Sequence, residues 1–97
     1  MPTYISLTNW TEQGIKNYKD TLDRAQGAQD AIAALGGSMR EIYYTLGAYD
    51  IVVIADFPDD ETATAFLLKL GALGNVRSTT MRAFSRDEMA RVLEKAG

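Results

Sequence analysis

Apolar and polar positions along this 97-residue chain switch between two periods, and the switches outline its elements. Thr3 to Thr8 alternates around Ile5 and Leu7, which predicts a short strand. Asn9-Trp10-Thr11 reads as a turn and a helix cap, and Glu12 falls in the first helical turn, where a carboxylate meets the positive end of the helix dipole. Ile15, Tyr18, Leu22, Ala25, Ala28, Ile32 and Leu35 then recur at spacings of three and four, one apolar stripe along a long helical segment. Gly14, Asp20 and Thr21 interrupt it, so a break is expected near Asp20. Gly36-Gly37 ends the segment, because glycine accepts the left-handed conformation at a helix C-terminus.

The second half returns to strands. Ser38 to Leu46 and Asp50 to Phe57 fold about Gly47-Ala48, a pair that suits a type II′ turn. That turn sets Leu46 opposite Tyr49, Thr45 opposite Asp50, Tyr44 opposite Ile51 and Tyr43 opposite Val52. Pro58-Asp59-Asp60-Glu61 starts a helix capped by Asp59, with Ala63, Phe66, Leu67, Leu70 and Leu73 on its buried face and Gly74 at its end. Asn75 to Phe84 is a fourth strand. Ser85 and Glu88 fit a capping box, Phe84 and Met89 a hydrophobic staple, and a short last helix carries Val92 and Leu93.

The order β-α-β-β-α-β with an extra C-terminal helix predicts one α+β domain over residues 1–97. Right-handed crossovers make it ferredoxin-like: a four-stranded antiparallel sheet with its helices on one face and the third strand between the first and second. Ile51-Val52-Val53-Ile54 is then apolar on both faces because it is central. Alternation places Ile5, Leu7, Ile42, Tyr44, Leu46, Ile51, Val53 and Ala55 under the helices, with Met81 and Ala83 assigned there too. Tyr4, Ser6, Thr8, Glu41, Tyr43, Thr45, Asp50, Val52, Ile54, Asp56, Ser78, Thr80 and Arg82 fall on the open face, although Val76 and Phe84 argue for the opposite facing of the fourth strand. Tyr4, Tyr43, Val52 and Ile54 make that face too apolar for water, and a second copy of the chain is its simplest cover.

Composition narrows the chemistry. Thirteen acids against 10 bases leave a net charge of −3, and the bases are scattered from Lys16 to Lys95, so neither nucleic acid nor a membrane surface is an expected partner. The chain has no Cys and no His. That removes thiol nucleophiles, Ser-His-Asp triads, and thiolate or imidazole metal sites. Acid–base work would fall to Asp, Glu, Tyr or Lys. The Met-Pro-Thr-Tyr-Ile start lacks a charged region followed by an apolar run, so no signal peptide is expected and a cytoplasmic location is the default.

Four stretches carry a resemblance: Gly47-Ala48-Tyr49-Asp50, Thr11-Glu12-Gln13-Gly14, Phe57-Pro58-Asp59-Asp60 and Leu73-Gly74-Asn75-Val76-Arg77. Through them the chain resembles the GYD-domain family, small proteins of the dimeric α/β-barrel, ferredoxin-like superfamily. The resemblance covers essentially the whole chain and implies that fold. It implies no single activity, since superfamily relatives include cofactor-free monooxygenases, isomerases, haem enzymes and amino-acid-sensing domains. The missing His argues against the haem branch.

Asp50 is the candidate catalytic residue: on a covered face, desolvation would raise its pKa toward that of a general base. Its structural alternative is to bond Thr45 or the hairpin backbone. Arg82 offers bidentate recognition of an anion or simply an ion pair with Asp50 or Asp56. Tyr4 and Tyr43 offer aromatic walls with hydroxyl donors, or interface packing. The candidate ligand set is therefore Tyr4, Tyr43, Thr45, Asp50 and Arg82. Asp59, Asp60 and Glu61 are explained by the helix start, and no metal site or cofactor is expected. The leading expectation is a homodimeric small-molecule-binding or interaction module. The alternative is a cofactor-free enzyme, monooxygenase- or isomerase-like, acting on a small aromatic or enolisable substrate with Asp50 as base.

Overall fold

The computed structural model describes residues 1–97. Its elements are β1 (Thr3–Trp10), α1 (Glu12–Lys16), α2 (Thr21–Ala34), β2 (Ser38–Tyr44), β3 (Ile51–Asp56), α3 (Asp60–Ala72), β4 (Val76–Ala83) and α4 (Arg86–Ala96). A 3-10 turn at Tyr18–Asp20 divides α1 from α2, where the break was expected. The strands stand in the order β2-β3-β1-β4, all antiparallel, which is the ferredoxin-like arrangement. Local caps match the sequence. Thr11, Asp59 and Ser85 each accept a backbone N–H from the first turn of their helix, and Ser85 with Glu88 completes a capping box.

The core is small: nine residues are buried. Phe57 is its centre. Tyr4 meets it edge-on with ring centroids 5.6 Å apart, and Phe66 lies on its other side at 5.5 Å. Ile32, Ala55 and Ala63 complete the cluster, with Ala28, Met39, Val53, Leu67 and Leu70 packed around it. The apolar stripe of the first helical segment is covered only over its later turns, at Ala28 and Ile32, and Leu35 at its end is exposed. Tyr18, which opens the 3-10 turn, and Leu22, at the start of α2, are exposed rather than core.

The expected faces hold for β2 and β3 and are reversed for β1 and β4. Register pairs Tyr4 with Ala55, Ser6 with Val53 and Thr8 with Ile51, so these β1 residues share the helix side. Ile5 and Leu7 lie on the open face instead. β4 follows: Arg82, Thr80 and Ser78 pair with Tyr4, Ser6 and Thr8 and face the helices, leaving Met81, Thr79 and Ala83 on the open side. The cause is volume. Ala55 beside Tyr4 leaves room for a ring against Phe57, and the phenol reaches Asp60 at the start of α3. A bulge between Met39 and Glu41 corrects the β2 register. In the hairpin, Tyr44–Ile51 and Tyr43–Val52 pair as expected and Thr45 N–H donates to the Asp50 carbonyl at 2.8 Å. Beyond that bond the tip opens out, and Leu46 is fully exposed rather than under the helices. Gly47 at φ +125° makes the turn.

A seam joins the two ends of the domain that are far apart in sequence. Thr11 N–H donates to the Asn75 carbonyl at 3.0 Å, and Thr11 Oγ1 to the Gly74 carbonyl at 2.5 Å. The Gln13 side-chain amide donates to the Leu73 carbonyl at 3.0 Å and to Asn75 Oδ1 at 2.9 Å. Gly14 lies so close that a Cβ there would sit 2.0 Å from the Asn75 carbonyl oxygen. Gly14→Ala should therefore lower stability by about 3 kcal/mol or more, the upper end of overpacking penalties. Gly27, in mid-α2 with nothing within 4 Å of an added Cβ, is the control. Gly27→Ala should gain about 0.5–1 kcal/mol from helix propensity. Urea unfolding reads both as midpoint shifts at constant slope.

Candidate functional site

One face of the sheet has no helix on it. Its two central strands present Ile5 beside Ile54 and Leu7 beside Val52. The outer strands extend these rows, with Met81 beside Ile5 and Tyr43 beside Val52. Met81 is 44% exposed and Tyr43 53%. The result is a continuous apolar patch of six side chains, the kind of surface that marks an interaction site.

Polar groups frame this patch at both ends. At one end Thr3 Oγ1 donates to Asp56 Oδ1 at 2.7 Å, and Arg40 approaches the same carboxylate at 3.6 Å. At the other end Asn9 pairs with Arg77. Glu41 accepts the Tyr43 hydroxyl at 3.2 Å, and its charge raises the pKa of that phenol.

The five residues expected to form one site are not brought together. Tyr43 is on the open face. Tyr4 is buried under the helices. Arg82 is on the helix side, its guanidinium 4.6 Å from the Phe84 ring centroid, 5.9 Å from that of Tyr4 and 3.8 Å from Glu88. It therefore pairs with neither Asp50 nor Asp56, but ties β4 to the first turn of α4. Thr45 donates its hydroxyl to the Tyr49 carbonyl at 2.6 Å, inside the hairpin. Asp50 accepts the Trp10 backbone N–H at 3.0 Å through Oδ2, while its own N–H donates to the Thr8 carbonyl at 2.9 Å. The carboxylate thus extends the β1–β3 ladder past its last pair.

Sequence reasoning missed Ile5, Leu7 and Met81 on the open face. The clue was available in Ala55, the one small side chain of β3, which marks where a large partner from β1 fits. It also missed the isolation of α4. No residue of that helix is buried, and Met89, Val92 and Leu93 stand exposed along one side of it. No group of three or more Asp or Glu is placed to hold a metal ion, and no helix is long and apolar enough to cross a membrane.

Comparison with known proteins agrees with this architecture. The family model described as GYD domain matches residues 4–93. A relative from Thermus thermophilus, named glutamine synthetase and cystathionine beta-lyase binding protein, is 29% identical over 84 residues, covering 86% of this chain and 88% of its own. Among solved structures, TTHA0845 from Thermus thermophilus superposes with a TM-score of 0.56 at 26% identity, over 88% of this chain and 95% of its own. MtbAldR superposes with a TM-score of 0.68 at 14% identity. The match covers 88% of this chain but only 54% of MtbAldR, so the chain spans about half that protein's length and the likeness is one of fold.

Tyr4 shows the largest electrostatic effect of the expected site residues. Burial, then the hydrogen bond to Asp60 and the charge of that carboxylate, push its phenol up from 10.0 to about 12. A raised acid pKa means that the folded state holds the proton more tightly than the unfolded chain. The associated stability is present below pH 10 and is lost as pH rises toward about 12. In an ultraviolet tyrosinate titration, one of the five tyrosines should ionise last, near pH 12, and Tyr4→Phe should remove that step. The same variant should cost about 1 kcal/mol at neutral pH for the lost hydrogen bond.

Proposed function

The chain belongs to the GYD domain family, and from that premise we propose that it is a protein interaction module that pairs with a second copy of itself through the open sheet face. The observation that carries this reading is the apolar patch on the two central strands, Ile5, Leu7, Val52 and Ile54, with no helix over it. A free chain of this size with nine buried residues is thinly packed. Association on this face supplies burial that the single chain lacks. The rim carries both signs of charge, Arg40 and Arg77 against Glu41 and Asp56, so two copies meet no field of one sign.

The relative's printed name supports the wider class, a domain that docks on other proteins. Here α4 is the surface for such a partner. Its first turn is held by the capping box and the Arg82–Glu88 pair, while Met89, Val92 and Leu93 are exposed to solvent. The Asp50 carboxylate serves the β1 backbone, which favours binding over acid–base catalysis as the function.

Light scattering behind size exclusion tests the self-association. At micromolar concentration the protein should run at twice the chain mass. Ile54→Lys and Leu7→Glu should each weaken the dimer about a hundredfold or more, the effect of an unpaired charge in an apolar interface, while the circular dichroism stays that of the folded chain. A wild-type protein that stays monomeric at that concentration refutes the reading.

A further inference from the structure

On the opposite side of the sheet from the dimer face, α2, α3 and the strands enclose a groove of about 630 Å³. That size lies within the roughly 300–1,000 Å³ of small-molecule sites. Fifteen of its 21 lining residues are hydrophobic. On the helix side α2 contributes small side chains to its lining, Ala25, Ala28 and Ala31, and the strands contribute Ile42 and Val53.

The charges are one-sided. Arg24 and Lys69 line the groove and no Asp or Glu does, although acids outnumber bases 13 to 10 in the chain. Arg24 is held in place by neutral acceptors alone: the Asn17 carbonyl at 2.9 Å, the Gly14 carbonyl at 3.1 Å and Thr21 Oγ1 at 3.3 Å. No carboxylate neutralises it. Lys69 makes no ion pair either. Both belong to the same end of the groove, since Gly14, which Arg24 grips, abuts Asn75 just beyond the end of α3. The far end, at Leu35 and Met39, is apolar.

We propose that this groove binds an amphipathic carboxylate, with its apolar body along the alanines of α2 and its acid group paired with Lys69 in the field of Arg24. The site is separate from the dimer face, and neither depends on the other.

Trp10 supplies the readout, being the single tryptophan of the chain and part of the lining. Its indole Nε1 is buried with no acceptor, so its emission is sensitive to a dipole brought nearby. The folded protein is titrated with decanoate, and separately with decyltrimethylammonium, both below their micelle concentrations. Decanoate should change Trp10 emission saturably and the cation should not. Lys69→Glu should weaken decanoate about tenfold or more, and Ala31→Phe, which fills the groove from an exposed position, should abolish the response. Circular dichroism confirms that both variants fold. The proposal is overturned if decanoate gives no saturable change, if the cation responds equally, or if either folded variant keeps the wild-type affinity. Light scattering reads the dimer independently, so failure here leaves that reading intact.

Discussion

The approach of Gly14 to the backbone of Asn75 is the constraint on which the rest of the domain is built. No side chain fits there, and four hydrogen bonds from Thr11 and Gln13 close the same contact. The contact fixes where β1 hands over to α1 and where α3 hands over to β4, which are the two crossovers of the fold. It also sets the position of α2. Arg24 in the first turns of that helix donates to the Gly14 and Asn17 carbonyls, so the start of α2 is held by the backbone of α1 rather than by packing on the sheet.

Two of the stretches that mark the family in the sequence are the two sides of this seam. Thr11-Glu12-Gln13-Gly14 supplies the cap, the amide and the close approach; Leu73-Gly74-Asn75 supplies the carbonyls. A third stretch ends nearby, because Asp50 caps the Trp10 N–H one residue before Thr11. The fourth, Phe57-Pro58-Asp59-Asp60, holds the centre of the core, the cap of α3 and the acceptor for Tyr4. Each stretch therefore has a structural reason to be what it is.

Element order, helix caps, the break near Asp20 and the β2–β3 pairing were legible because each rests on local chemistry. The facing of β1 was not. Its strand offers apolar residues on both sides, Tyr4 and Trp10 on one and Ile5 and Leu7 on the other, and alternation cannot choose between two apolar faces. The choice is made by a residue 51 positions away, Ala55, whose small side chain accepts the Tyr4 ring. Once β1 is set, β4 has no freedom, and Ser6 and Thr80 meet through their hydroxyls at 2.8 Å. The expected grouping of Tyr4 and Arg82 with Tyr43 was lost by that one inversion.

The inversion also changes where ligand chemistry and association can occur. With Tyr4 pointing inward, the aromatic and hydroxyl groups of β1 contribute to the core and to the wall of the helix-side groove. Ile5 and Leu7 take their place on the open face, which becomes more uniformly apolar than the sequence suggested. An apolar face whose polar groups lie mainly at its rim, paired with one another, suits association better than small-molecule recognition, which needs a few placed polar contacts to fix orientation. Such contacts are found instead across the sheet, where Lys69 and Arg24 meet an apolar channel. The sheet thereby separates the two surfaces proposed for binding, and the seam at Gly14 holds the boundary conditions of both: it ends β1, which runs through the open face, and it anchors α2, which roofs the groove.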